Sequence, residues 1–218
     1  MKKVLLSLGV LPVVLLFSGC SKSQVELVKE NMSEITYTYF YGKCDEFEIS
    51  LSSGEREEPY VYNGKNEQMY DFGLVVAKLK TDKEKESMIF SINGDATSEV
   101  LEYNMVTGTY MLDLERSFDE GDLISVKYGN TQITLDCLSK EFKVGYDKAI
   151  DIGVNEFSEE ISKMLQKDDL KAECYLKILD NLSNGFDSRF WCFSIVNEEG
   201  EHLNCVIDVE SGEITAKT

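Results

Sequence analysis

The spacing of apolar residues changes once along this chain, and that change is the strongest constraint on its fold. From residue 35 to about residue 137, short apolar segments alternate with polar residues at a period of two, as in residues 47–51 and 110–114. Such a period is typical of β-strands with one buried face. About seven or eight short strands, separated by glycine-containing turns, predict an antiparallel β-sandwich over residues 34–138, immunoglobulin-like in outline.

The period changes to three and four after a break at residues 138–145. Ile150, Val154 and Phe157 then fall on one side of a predicted helix, with charged residues between them. The pattern extends over about 20 residues and is that of an amphipathic helix. Gly153 lies on the same apolar side, where a glycine costs about 1 kcal/mol relative to alanine. We therefore expect this helix to approach a sheet closely at Gly153.

Two apolar segments near the end of the chain flank a four-residue turn at residues 197–200. The turn begins with asparagine and ends with glycine, which favours a type I turn followed by a glycine bulge. This geometry places Trp191 opposite Ile207 and Phe193 opposite Cys205. The predicted hairpin therefore has one wholly apolar face.

Residues 144–218 resemble PepSY-type domains. Asp208, Gly212 and Ile214 match the aspartate, glycine and final strand with which these domains often end, and residues 148–150 resemble the opening of their helix. The resemblance implies one helix packed on a small antiparallel sheet. It also implies inhibitory or regulatory binding, as in the propeptides of proteases. The whole chain is therefore predicted to be mostly β, and α+β overall, with the sandwich preceding the PepSY-like domain.

Residues 1–20 have the composition of an export signal. Lys2 and Lys3 precede an apolar run at residues 4–17, and small residues follow it. The run is shorter than the roughly 20 residues that a membrane span needs. It ends in Phe17-Ser18-Gly19-Cys20, which resembles the lipobox of bacterial lipoproteins, with Phe17 in the place usually taken by leucine.

The lipobox resemblance implies removal of residues 1–19 and attachment of a lipid, including palmitate, to Cys20. The mature chain would then be anchored in the cell membrane on its extracytoplasmic face, with residues 20–33 forming a tether and a short helix. An ordinary secretory signal with an incidental cysteine is the alternative. With residues 54–60, the organisation also looks like that of uncharacterised two-domain lipoproteins of Gram-positive bacteria, a likeness that implies no particular activity.

The chain is strongly acidic, with a formal net charge of −18. Such a surface is repelled by phosphate backbones, so nucleic acid is not expected as a partner. Basic peptides, polycations and divalent ions are compatible partners. Solubility alone is the competing explanation for the charge.

Catalytic and metal-binding patterns are missing from the sequence. The single histidine, His202, has Ser194 diagonally across the predicted hairpin, but Asp208 lies roughly 20 Å along the strand and cannot orient the imidazole. The acidic residues between positions 113 and 122 lack the spacing of a calcium loop and are interpreted as a solvated turn. We expect no enzyme, metal or cofactor; an acidic cleft between the domains is the alternative.

Five cysteines follow Cys20, an odd number that excludes a complete disulfide framework. Cys44 and Cys137 lie near the two ends of the predicted sandwich. They could form a disulfide, or remain isolated thiols.

Residues 54–71 form the best candidate for a binding loop. The segment holds Arg56, Tyr60 and Tyr62, and arginine and tyrosine are common anchors at binding surfaces. These three residues are the predicted ligand contacts, although the tyrosines could instead pack on the sandwich. The chain is thus predicted to be a non-enzymatic binding or regulatory module, with a protein or peptide as ligand. The alternative is a regulator or inhibitor of an exported protease, acting through residues 144–218.

Overall fold

The computed structural model describes residues 22–57, 68–80, 88–92, 99–167, 169–180, 182 and 188–218. Its strands are β1 (Met32–Lys43), β2 (Phe47–Glu57), β3 (Met69–Leu79), β4 (Met88–Ile92), β5 (Glu99–Asn104), β6 (Thr109–Leu114), β7 (Ile124–Tyr128), β8 (Thr131–Thr134), β9 (Asp136–Cys137), β10 (Leu165–Gln166), β11 (Asp169–Leu170), β12 (Ala172–Leu179), β13 (Phe190–Asn197), β14 (His202–Asp208) and β15 (Ile214–Lys217). Its helices are α1 (Gln24–Glu30), α2 (Tyr146–Glu156) and α3 (Ser158–Met164), with a 3₁₀ turn at Leu138–Glu141.

Most of these strands join in one hydrogen-bonded path. Its order is β15-β14-β13-β12-β1-β2-β3-β6-β5-β4-β7-β8, and β9 pairs with β1. The hydrogen-bonded path that leaves β1 through β2 ends at β8, and β9, the next strand along the chain, pairs with β1. We term β1–β9 the strand ring. The mostly-β class is confirmed, whereas this continuous path does not confirm the two separate sheets of a sandwich.

Strand β1 belongs to both parts of the molecule. Along one edge it pairs with β2. Along the other edge its first half pairs in parallel with β12, with Ile35 opposite Leu176, and its second half pairs with β9, with Phe40 opposite Cys137. We term β1 together with β12–β15 the helix-bearing sheet. One strand therefore continues from the strand ring into the helix-bearing sheet.

Two apolar cores lie on either side of β1. Tyr39 and Phe40 are adjacent in sequence and both fully buried, but Tyr39 lies in the core beneath the helices and Phe40 in the core of the strand ring. The run of aromatic residues in β1 is thus explained by burial of both of its faces. The helix-side core also contains Leu27 and Val28 of α1, so the short helix predicted within residues 20–33 packs against residues of the C-terminal part.

The predicted long helix is observed as two helices, α2 and α3, which meet at Phe157. The backbone of Phe157 leaves the helical region, with φ −106° and ψ 23°, so the expectation of one continuous helix is wrong. The predicted apolar face is confirmed, because Ile150, Val154, Phe157 and Ile161 are all buried. Phe157 thus lies inside the core at the junction of the two helices.

The close approach predicted at Gly153 is confirmed. A β-carbon there would lie 2.2 Å from Cδ1 of Phe193, nearer than side-chain atoms can pack. Phe193 belongs to β13, so the glycine brings α2 directly onto the helix-bearing sheet.

The predicted hairpin is also confirmed. In β13 and β14, Trp191 pairs with Ile207 and Phe193 with Cys205, and all four side chains are buried. The turn closes with a positive φ of 79° at Gly200, as the glycine bulge requires.

A tight turn precedes the last strand of the chain. The Asp208 carboxylate accepts hydrogen bonds from the amides of Glu210 and Ser211 at 3.0 and 2.7 Å, and these bonds lower its pKa. The Gly212 amide donates to the Asp208 carbonyl, and Ile214 begins β15.

The cysteines of the described residues are free thiols. Cys137 lies opposite Phe40 in the β1–β9 pair. Cys44 is four residues after Phe40, so its Cα lies about 13 Å from that of Phe40 at 3.3 Å per residue. A disulfide needs a Cα separation below about 7 Å. The pairing of Cys44 with Cys137 is therefore not formed, and the alternative of isolated thiols holds.

Candidate ligand groove

The segment predicted as a binding loop is partly strand. β2 continues to Glu57 and β3 begins at Met69, so the expectation of an irregular segment from residue 54 is wrong at its start. Tyr60 and Tyr62 lie outside the described residues.

Arg56 lies near the end of β2 and is held by other side chains. Its Nη1 and Nη2 lie 3.0 and 3.1 Å from the two carboxylate oxygens of Asp113, on β6. Its guanidinium also lies over the Phe72 ring, 5.4 Å from the centroid. The structure thus places Arg56 in a bridge from β2 to β6 across β3, and its role in ligand binding stays a prediction.

A groove opens on the helix side of the same strands, between α1, α2 and β1–β3. Its volume is about 350 Å³. We term it the α2 groove; it is lined by Lys29, Met32, Ile35, Tyr37, Glu55, Met69, Tyr146, Asp147 and Ile150. A volume of this order can hold a side chain or a small ligand. Met69 follows the segment that carries Tyr60 and Tyr62.

Helix α1, which forms part of one wall, is fixed at its N-terminus by side-chain capping. Ser23 caps α1 by accepting a hydrogen bond from the Glu26 amide, and the Glu26 carboxylate accepts one from the Ser23 amide. This reciprocal capping box defines where α1 begins. It leads to Lys29 in the last turn of α1, which faces Asp147 in the first turn of α2.

The strands supply the opposite wall. Ile35 and Tyr37 of β1 both line the groove, although the β1–β2 ladder is irregular between Thr36 and Thr38. Glu55 pairs with Ile35 across the β1–β2 ladder. The Tyr37 hydroxyl donates a hydrogen bond to Glu55 Oε2 at 2.6 Å, which ties the tyrosine to the neighbouring strand.

Two tyrosines meet in the groove. The rings of Tyr37 and Tyr146 contact edge to face, with centroids 5.0 Å apart and an angle of 67° between their planes. Burial raises the pKa of Tyr37 above its ordinary value, and the bond to Glu55 raises it further. Burial followed by the nearby Asp147 charge raises the pKa of Tyr146. Both phenols are therefore neutral hydrogen-bonding groups at physiological pH.

The rim of the groove carries charge. Lys29 Nζ lies 2.6 Å from Asp147 Oδ1, and this hydrogen bond raises the pKa of Lys29. The two side chains are 43% and 61% exposed, so solvent screens the pair. Glu55 contributes a second carboxylate. The groove thus combines an apolar floor and two aromatic rings with a rim that is acidic on balance.

The polar groups of the described lining residues are carboxylates, one ammonium and two phenols. They comprise no histidine, cysteine or serine that could form a nucleophile and base pair. Over the described part of the chain, no three histidine, cysteine or acidic residues are arranged to hold a metal ion. His202 is exposed at the start of β14, opposite Val196.

A buried polar cluster that the sequence did not indicate lies further along β1. The Tyr39 hydroxyl donates to Asp180 Oδ2 at 2.6 Å, and both residues are buried. The Arg189 guanidinium lies over the rings of Tyr39 and Tyr41, at 5.5 and 4.7 Å. The cluster ties β1 to the segments that follow β12 and precede β13. Its signal in the sequence was only the alternation of tyrosines, which equally indicates a strand.

The chain matches no protein-family model, no curated protein and no solved structure at a significant level. Among the helices of the described residues, none has the length and apolar composition needed to cross a bilayer.

Proposed function

We propose that this protein is a lipid-anchored, extracytoplasmic binding module, without enzymatic activity, whose ligand site is the α2 groove. The single observation that carries the proposal is the groove itself. Its floor is apolar, two tyrosines meet in its wall, and polar groups stand at its rim. An apolar concavity with a few converging polar groups is the usual form of a ligand site.

The proposed anchor lies close to this groove along the chain. From Cys20 to Ser23, the N-cap of α1, an extended chain spans at most about 11 Å. Lys29 of the groove lies on α1. On this proposal, lipidation of Cys20 keeps the groove near the membrane surface and leaves it accessible to ligands outside the cell. The membrane, through that lipid, and a protein or peptide ligand are the proposed partners.

We infer a second candidate function from the C-terminal part, regulation or inhibition of an exported protease. The resemblance of Asp208, Gly212 and Ile214 to a PepSY-type ending supports it, and in the structure these residues form a turn that leads into the final strand. On this proposal the helix-bearing sheet is PepSY-like, with α2 on its face. The strand ring would correspond to the predicted sandwich, its opposite walls facing each other across one core.

Photo-cross-linking tests the binding function. A benzoylphenylalanine at position 146, in the full lipidated chain on cells, should capture a ligand at the groove. The matched control is the same residue at the exposed Lys127 of β7, outside the groove. Products specific to position 146 support the proposal; equal products at both positions, or none at position 146, contradict it.

The anchor is tested separately. Replacement of Cys20 by alanine should abolish incorporation of labelled palmitate and release the chain from the membrane fraction, with Cys192→Ala as the control. Continued labelling of Cys20→Ala would contradict lipidation. For the protease alternative, deletion of the whole chain should alter extracellular proteolysis, and unchanged proteolysis would remove that candidate.

A further inference from the structure

We propose that the α2 groove recognises basic peptide segments. One lysine or arginine side chain of the ligand enters the groove and contacts the tyrosines on one side and the carboxylates on the other. The ligand cation displaces Lys29 from its ion pair with Asp147. This inference rests on the proposed binding function and adds the chemical class of the ligand.

Charge selects the sign of the ligand. Among the described residues that line it, the groove has the carboxylates of Glu55 and Asp147 and one cation, Lys29, which is already paired with Asp147. The chain as a whole has a formal net charge of −18, which attracts basic segments and repels acidic ones. Carboxylates form strong charge-assisted hydrogen bonds with ammonium and guanidinium groups.

The apolar surfaces select the shape of the ligand. Lysine and arginine carry long alkyl stems, which bury well against apolar side chains while the charged end stays polar. The half-buried Met69 and the edge of Met32 line the cavity and offer such a surface. The faces of tyrosine rings attract cations, and Tyr37 and Tyr146 both line the same cavity. An acidic cluster without this floor would bind cations only loosely.

Lys29 shows how such a cation can be held. Its ammonium nitrogen lies 2.6 Å from Asp147 Oδ1 at the edge of the cavity. Because this intramolecular pair is largely exposed, it is weak and can be exchanged for another cation. A ligand ammonium that also buries its stem gains contacts that Lys29, fixed on α1, does not make. Lys29 therefore acts as a competitor that lowers the affinity for weak cations.

Methionine methyl groups provide a direct measurement. The full lipidated chain, labelled with ¹³C at its methionine methyls in non-ionic detergent, is titrated with blocked tetralysine at physiological ionic strength. Met32 and Met69 lie in the groove, whereas Met88 is buried in the strand ring and Met105 is exposed on the β5–β6 turn. We expect saturable shifts of Met32 and Met69 only. Blocked tetraglutamate should leave all four signals unchanged.

Three variants separate the groove from general electrostatics. Asp147→Asn should weaken tetralysine binding about tenfold or more, because the proposed charged partner is lost. Lys29→Gln should tighten binding by about threefold to fivefold, because the internal competitor is removed. Glu30→Gln is the matched control. It removes a carboxylate of α1, the helix that carries Lys29, and this carboxylate pairs with Lys22 outside the groove. The affinity for tetralysine should change less than about twofold.

Equal losses in Asp147→Asn and Glu30→Gln would mean that only net charge matters and would overturn the proposal. Shifts with tetraglutamate, or unchanged Met32 and Met69 with tetralysine, would overturn it as well. If cross-linking at position 146 still captured a ligand, the binding function would stand and only the cationic class would fail. Unchanged melting temperatures show that each variant remains folded.

Discussion

Gly153 of α2 lies directly against the ring of Phe193 on β13, with room for a hydrogen but not for a methyl group. The β-carbon of any other residue at position 153 would meet Cδ1 of Phe193 at 2.2 Å. The contact fixes the distance between the helix and the helix-bearing sheet.

In Gly153→Ala the ring or the helix must move, at a cost of about 1–3 kcal/mol. Alanine gains about 1 kcal/mol over glycine inside a helix, so we expect a net destabilisation of up to about 2 kcal/mol. The measurement is the free energy of unfolding in urea. Gly121→Ala is the control, since no atom lies within 4 Å of its added β-carbon. A Gly153→Ala variant more stable than the parent would contradict this packing.

Phe157 is 5% exposed at the junction between α2 and α3. Phe157→Ala should lower the free energy of unfolding by about 3–5 kcal/mol, because a large buried ring is replaced by a cavity. Phe157→Leu, which fills most of that volume, should cost less than about 1.5 kcal/mol. Urea melts of the two variants give the comparison. Equal stability of the alanine and leucine variants would show that the ring is not packed in the core.

The Tyr39–Asp180 hydrogen bond predicts a difference between two tyrosines of the same strand. Tyr39→Phe removes a donor from a buried carboxylate and should cost about 1–3 kcal/mol. Tyr41→Phe removes a longer bond, 3.0 Å to the partly exposed Glu48, and should cost at most about 1 kcal/mol. Chemical denaturation measures both. Indistinguishable losses would contradict the burial of the Tyr39 cluster.

Stability should fall at alkaline pH. Burial raises the pKa of Cys205, and of Tyr41 and Tyr175, to about 12. In the unfolded chain these groups lose protons near their ordinary values of about 8.5 and 10. Their contribution is therefore fully present below about pH 8.5 and is lost as the pH rises towards 12.

Urea titrations at pH 8 and pH 11 test the alkaline prediction. The free energy of unfolding should be lower at pH 11, and Cys205→Ala should reduce the difference because the buried thiol no longer contributes. A parent protein equally stable at both values would show that these groups are not shielded from solvent.

Local patterns predicted a large part of the C-terminal half. The β13–β14 register follows from one turn, because every pair is fixed once Asn197 faces Glu201. The close approach at Gly153 follows from an otherwise unfavourable residue on an apolar helix face. Both features depend on residues that are near each other in sequence.

Features that depend on distant segments were not predictable in the same way. The parallel pairing of β1 with β12 joins Ile35 to Leu176, and an alternating pattern does not specify which strand is its neighbour. The α2 groove likewise requires Tyr37 of β1 to contact Tyr146 of α2, two residues that are far apart in sequence. Their residue types carry no distinctive spacing, because each is explained locally as part of a strand or as the start of a helix.

The most direct test of ligand binding at the α2 groove on the cell surface is methionine oxidation footprinting. Intact cells and the purified chain are treated briefly with peroxide, and oxidation of Met69 and Met105 is quantified by mass spectrometry. Met105 is 86% exposed and outside the groove, so it reports equal access of the oxidant. We predict that Met69 oxidises more slowly on cells than in the purified chain, relative to Met105. An identical Met69 to Met105 ratio in both samples would contradict occupation of the groove.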